Sequence, residues 1–307
     1  MSDVTRRRFL ETATGITLAA GLGTLPLSTV EKNSLSAQEK PQKKGGDIRY
    51  GLVTYQWAKD WDLPTLIANC AKAKVLGVEL RTTHKHGVEP SLSMAERAAV
   101  RKRVADSPVK FLGIGSNERY DSPDPVVVAK AIDATKQFIE LSHDVGGSGV
   151  KVKPDSFHKD VPREKTIEQI GKSLNLLAEF ATGFGQQIRL EIHGGCAQLP
   201  TIKAIMDVAD NPNVALCWNS NPQDLEAPGL EHNFHLVKAR LGETTHVHLM
   251  DSKTYPHQQL LDLYVQLDYS GWWLVEEGVL PADPAAELVT QRELFDKMLA
   301  DSRARVG

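Results

Sequence analysis

The sequence predicts a single α/β domain, a (β/α)8 TIM barrel over residues 47–307, preceded by a signal segment; three observations carry that reading. From Asp47 onward short β-like runs alternate with longer amphipathic runs, the pattern of parallel strands joined by crossover helices. Eight such units occupy about 260 residues, which suits one closed barrel better than an open doubly wound sheet. No Gly-x-Gly-x-x-Gly follows the first strand, so the usual sign of a dinucleotide-binding sheet is missing.

Taken in order, Ile48 to Thr54 reads as the first strand. Asp62 to Lys74 follows as a helix with Leu63, Leu66, Ile67 and Cys70 on one face. Val75 to Arg81 is the second strand. Ser93 and Glu96 have capping-box spacing and open a helix to about Asp106, which Pro108 stops before the third strand, Val109 to Ile114. Asp124-Pro125 starts the next helix, and Gly149 to Lys153 is the fourth strand. Thr166 to Ala181 keeps Ile167, Ile170, Leu174, Leu177 and Ala181 in helical register ahead of the fifth strand, Gln187 to His193. Thr201 to Ala209, Val214 to Asn219, Gly229 to Leu241 and Thr245 to Leu249 continue the alternation. His257 to Leu267, Trp272 to Glu276 and Pro284 to Ala300 complete it.

The N-terminus reads as a targeting segment. Thr5-Arg6-Arg7-Arg8-Phe9-Leu10 and the weakly apolar stretch from Ala13 to Leu27 resemble a twin-arginine export signal ending near Ala37, followed by a polar linker over 38–46. That resemblance implies a periplasmic or otherwise exported protein. Gly15, Gly21, Gly23 and Pro26 interrupt the run, so no stable membrane span is expected after processing. Removing residues 1–37 moves the formal net charge from −3 to −4, an acidic balance that disfavours a nucleic-acid partner. Cys70, Cys196 and Cys217 are an odd set without paired spacing and imply no disulfide framework. A homo-oligomer is compatible with the chain, which leaves its order open.

Chemistry in such a barrel is built where the C-terminal strand ends meet. Glu191 and His193 share a face on the fifth strand, Asn219 ends the sixth, His246 and His248 share a face on the seventh, and Glu276 ends the eighth. Each has an ordinary reading: Glu191 as a buried partner of Arg189 or a lysine, Asn219 as the start of a turn. Together they place like-charged groups at one mouth, where a cation or a shared proton must compensate them. On the fourth strand Lys151 and Lys153 share a face, as a salt bridge to Glu191 or as substrate contacts. His84 and His86, in the loop after the second strand, are either solvated or substrate-facing; Trp57, after the first, is the best sugar-stacking candidate, with Trp218, Trp272 and Trp273 expected in the core.

Leu190-Glu191-Ile192-His193, Trp218-Asn219, His246-Val247-His248-Leu249-Met250-Asp251 and Gly271-Trp272-Trp273-Leu274-Val275-Glu276 together resemble the xylose-isomerase-like barrel superfamily of sugar phosphate isomerases and epimerases. The resemblance covers nearly all of residues 47–300. It implies a small carbohydrate substrate and a divalent cation (manganese, magnesium, cobalt or zinc) held by a glutamate, an aspartate, a histidine and a second glutamate. Carried over, these are Glu191, His248 and Glu276, with Asn219 at the aspartate position; His246 is then the deeper residue. The amide removes one negative charge, which weakens the site or changes its metal preference. The family's Asp-x-x-His is also absent, since 219–222 reads Asn-Ser-Asn-Pro.

The same resemblance implies proton transfer by Glu191 and Glu276 through an enediolate, with Lys153, His193, His84 and His86 orienting the sugar. Isomerisation or epimerisation is the first expectation. A lyase acting on 3-keto sugars or 3-keto glycosides uses the same chemistry with a departing group, and a noncatalytic sugar-binding barrel is the reading that Asn219 motivates.

Overall fold

A computed structural model describes residues 45–306; the expected signal segment and all of the expected linker except Gly45-Gly46 lie outside the described residues. The glycine pair is part of the barrel's base. Both residues have positive φ (84° and 66°), Gly45 N donates to Asp268 Oδ1 at 2.7 Å, and Arg303 donates to the Gly46 carbonyl at 2.9 Å. A side chain at Gly46 would collide with the carbonyl of Tyr269, so glycine is required there by contact as well as by dihedral angle.

Eight strands follow: β1 Ile48–Val53, β2 Gly77–Arg81, β3 Lys110–Arg119, β4 Gly149–Lys153, β5 Gln187–Glu191, β6 Val214–Cys217, β7 Thr244–Val247 and β8 Gly271–Val275. The helices between and after them are α1 Leu63–Ala73, α2 Met94–Ala105, α3 Pro125–Val145, α4 Arg163–Thr182, α5 Leu199–Val208, α6 Leu230–Val237, α7 His257–Gln266 and α8 Pro284–Val306. All pairings are parallel, in the order β6-β5-β4-β3-β2-β1-β8-β7. The ends β6 and β7 meet through the bridges Leu216↔Leu241 and Asn219↔His246, and His246 N donates to the Trp218 carbonyl at 2.7 Å, so the ring is nearly closed beside the polar mouth. Of the expected elements, β3 runs five residues past Ile114, and the helix expected to Leu241 ends at Val237 with one 3-10 turn after it.

Local signals explain most boundaries. Ser93 accepts from Glu96 N while Glu96 reaches back to Ser93 N, so the capping box is formed, and Asp62 and Asp124 cap α1 and α3 ahead of prolines. Outward strand residues such as Leu52, Val78, Val150, Leu190, Leu216 and Trp273 join the apolar layer beneath the helices. Inward residues are unusual for a packed barrel. The small inward set Val53, Leu112, Trp272 and Leu274 fills the lower interior, and Gly77 leaves room for the Trp272 ring.

Charged residues complete the interior. Arg189 plugs the base, bonded to Gln187 Oε1, the Leu112 carbonyl and Ser148 Oγ and paired with Glu243 at 3.0 Å; it is not the partner of Glu191. Above it stand Glu79, Lys151, Glu191 and His246, all fully buried. No helix among the described residues is long and apolar enough to cross a membrane.

Candidate active site and metal centre

At the C-terminal mouth lies a pocket of about 240 Å3 lined by Tyr55, Arg81, Lys153, Glu191, His193, Asn219, Asn221, His248 and Glu276. His246 is fully buried behind this lining, in contact with two of its glutamates. Its Nδ1 lies 3.3 Å from Glu191 Oε1 and 3.0 Å from Glu276 Oε2, while Nε2 lies 3.1 Å from Glu79 Oε1. Each pocket glutamate is pinned by its other oxygen. Lys151 Nζ donates to Glu191 Oε2 at 2.7 Å, and Arg81 donates to Glu276 Oε1 at 3.0 Å and to Asn117 Oδ1 at 2.8 Å.

The electrostatics follow from that pairing. Burial opposes ionisation of Glu191, but Lys151 and then His246 outweigh it and hold the carboxyl well below its usual range. Burial likewise opposes Glu276, and the neighbouring His246 charge overcomes it, drawing the carboxyl down to about 2. Burial disfavours charge on His246 too, yet the Cys217 sulfur and the carboxylates of Glu79 and Glu276 raise its pKa well above the ordinary value. This pairing favours the charged form of the His246 ring among the carboxylates.

The structure groups His246, not His248, with the two glutamates. His248 Nδ1 faces the Glu276 carbonyl at 3.0 Å and Glu277 Oε1 at 3.1 Å; bonding to Glu277 raises its pKa against burial, and the ring sits at the rim. The depth order is the expected one, His246 buried and His248 nearer the mouth, but it is the deeper histidine whose ring nitrogen lies with the acids. Their shared face was legible, but the bridge Asn219↔His246 sets His246 level with Asn219 and so with the donors around it. Asn219 donates from Nδ2 to Glu191 Oε1 at 3.1 Å, and its Oδ1 is buried without a hydrogen-bond partner among the described residues.

Lys153 and His193 meet at the pocket wall, Nζ to Nε2 at 3.5 Å, with His193 Nδ1 held by Asp155 Oδ1 at 2.9 Å. Burial and then Lys151 depress the Lys153 pKa. Three expected contacts are elsewhere. Trp57 is 3 % exposed and donates to the Val279 carbonyl at 2.8 Å, fastening the loop after β8 rather than offering a stacking face. His84 faces Thr54 Oγ1 at 3.3 Å and is outside the pocket lining.

His86 is a strut. Its Nδ1 accepts from Val88 N at 3.0 Å, which makes Nε2 the donor to the Arg81 carbonyl at 2.8 Å, and burial lowers its pKa to about 4. His86→Ala is expected to cost about 2 kcal/mol through two stranded backbone groups. Urea titration measures that loss, and an unchanged midpoint would refute the strut role.

Sequence reasoning missed Arg81, Glu79, Tyr55 and Asn221. Glu79 and Arg81 had a readable signal, two charges on one face of the run Gly77-Val78-Glu79-Leu80-Arg81. Tyr55, whose ring lies under Arg81 at 5.2 Å, and Asn221, which donates to the Ile192 carbonyl at 2.6 Å, had none.

The donor set fits a divalent cation. Ligand atoms of Glu191, His246 and Glu276 lie within 4.8 Å of one another and all three residues are buried; Asn219, bonded to Glu191 through Nδ2, carries a buried Oδ1 as a fourth potential donor. Glu79 accepting from His246 Nε2 leaves Nδ1 free to ligate once it is unprotonated, the outer carboxylate arrangement common around metal-bound histidines.

A barrel of eight parallel strands with acids and histidines gathered at its C-terminal mouth defines the class. The sequence profile of the xylose isomerase-like TIM barrel family matches residues 67–295, and the chain belongs to that family. An L-ribulose 3-epimerase structure superposes with TM-score 0.72 at 17% identity, covering 84% of this chain and 96% of that one. The 3-keto-D-glucoside 4-epimerase from E. coli gives 0.66 at 14% identity, covering 83% and 99%. A xylose isomerase domain protein from Planctomyces limnophilus gives 0.63 at 12%, covering 84% and 99%. At these identities the likeness is one of fold. No curated protein sequence matches the chain.

Proposed function

We propose that this barrel is a divalent-metal-dependent isomerase or epimerase of a sugar or keto-sugar, working by proton transfer through an enediolate. The observation that carries the reading is the buried trio beneath the pocket: carboxylates at the end of β5 and just after β8 converge on one imidazole nitrogen. The epimerase neighbours, whose substrates are keto sugars or a 3-keto-glucoside by name, support the same class. Glu191, His246 and Glu276, with Asn219 Oδ1, would hold the cation. When bound, it supplies Lewis-acid polarisation of the substrate carbonyl.

The chain's own groups do the rest. One of Glu191 and Glu276 takes the proton from the carbon next to the carbonyl and later releases it to solvent; the C–H electron pair moves into the enediolate, and the other carboxylate relays a proton from solvent water to give the product. Their low pKa values keep both carboxylates ionised and ready to accept. Lys153 donates to substrate hydroxyls, and His193, its Nδ1 directed at Asp155, fixes that ammonium at the wall. The twin-arginine motif makes this an exported, periplasmic activity in our reading.

The test is incubation in deuterated water with ketohexoses and 3-keto-glucosides, each with manganese, magnesium, cobalt or zinc. Metal-dependent deuterium uptake beside the carbonyl, with an epimer or an aldose–ketose pair as product, is expected. A released aglycone would instead make the enzyme a lyase. Binding without exchange under any metal would leave a sugar-binding barrel and overturn the catalytic reading.

A further inference from the structure

Three carboxylates and three cationic groups share the upper interior. Glu79, Glu191 and Glu276 face His246, Lys151 and Arg81, and every one of the six is at most 8 % exposed. Lys151 is the extreme case, fully buried and bonded, among the described residues, only to Glu191 Oε2 and, at 3.2 Å, the Ser116 carbonyl. Arg81 reaches Glu276 Oε1 from the opposite side. Each cation occupies one oxygen of a metal-binding carboxylate, which leaves that carboxylate a single oxygen for a metal. Each also places a fixed positive charge one carboxyl group away from the point where Glu191 Oε1, Glu276 Oε2 and His246 Nδ1 converge.

Asn219 acts in the same direction, offering an amide where a carboxylate would add negative charge. A donor set of two glutamates, one imidazole and one amide carries a formal charge of minus two before Lys151 and Arg81 are counted, and none afterwards. In a buried site, where charges are weakly screened, this opposes entry of a doubly charged ion.

Resting on the reading that this trio holds the cation, we propose that Lys151 and Arg81 are internal counter-charges that keep the cation loosely bound and exchangeable. They let the apoprotein fold with its acids compensated, and they lower the affinity that the donors alone would have. The metal thus becomes a component that enters and leaves the folded barrel instead of one locked in place. Lys151 and Arg81 are positioning residues in this scheme, because they act through Glu191 and Glu276.

Calorimetric titration of the chelator-treated full chain with manganese chloride tests this without recourse to activity. Lys151→Met and Arg81→Gln are each expected to bind manganese at least tenfold more tightly than the wild type, and manganese is expected to raise their melting temperatures by more than it raises the wild type's. Arg81→Lys, which keeps the charge, should stay within threefold of the wild-type affinity. Equal or weaker binding by Arg81→Gln overturns the proposal, and Arg81→Gln alone decides it if Lys151→Met does not fold. His246→Gln separates the two failures. If the wild type binds, His246→Gln does not, and neither charge-removing variant gains affinity, only the counter-charge proposal falls. If no protein binds manganese, or His246→Gln binds as the wild type does, the metal-site reading falls and takes the proposal with it.

Discussion

Glutamine in place of Glu276 is expected to slow substrate–solvent proton exchange by about three orders of magnitude, the middle to upper part of what a positioned acid–base group contributes. The substitution removes the proton acceptor while keeping an oxygen near Arg81, whose second hydrogen bond to Asn117 is retained. Folding should therefore survive, as far-ultraviolet circular dichroism and melting will report. Glu191→Gln is expected to lose exchange to a similar extent but to destabilise more, because the fully buried Lys151 pairs with no other carboxylate among the described residues. Exchange within tenfold of wild type in either variant would remove that glutamate from the proton-transfer pair.

The second large effect is a loss of stability in acid. A carboxyl whose pKa is depressed on folding contributes stability that is fully present above its unfolded pKa and is lost as pH falls through its folded one. Glu276 moves from 4.5 to about 2, so in the metal-free protein it stands for about 3 kcal/mol at neutral pH, lost between roughly pH 5 and 2. Glu191 is shifted the same way and adds to the loss over the same window. His246 has the opposite sign: its raised pKa gives stability that is complete below about 6.5 and fades as pH rises through the folded value. The chelated protein should thus be most stable near pH 5 to 6.5 in denaturant titrations. Glu276→Gln should flatten the acid limb; an acid limb as steep as wild type in that variant would show that the stability loss arises elsewhere.

How the site came to be partly legible follows from particular residues. Glu191, Asn219 and Glu276 were identified from polar ends on apolar strands, and all three line the pocket. His193 and Lys153 were reached by the same alternation rule, because side chains two apart in a strand share a face. His86 and Trp57 misled because a loop residue near the mouth has no periodicity to say which way it points. Their side chains were taken up by backbone partners instead, Arg81 and Val88 for one and Val279 for the other.

The sequence by itself determined the eight-unit alternation, the strands that carry polar ends and the face on which each polar residue lies, since these are properties of helical and extended periodicity within single segments. Only the tertiary structure decided at which level of the barrel the acids meet a histidine, and which partners they take. Residues two apart in a strand differ by about 6.6 Å along it, and whether His246 or His248 meets Glu191 depends on the stagger between strands, which ring closure fixes and no segment encodes alone. The partners are equally remote: Lys151 lies 40 residues from Glu191, and Arg81 lies 195 from Glu276. The two histidines with which the mouth could be recognised were thus legible as a pair. Which of them joins the acids, and which cations hold those acids in place, is settled by the closed barrel, where a buried charge must find its counter-charge wherever the fold brings one.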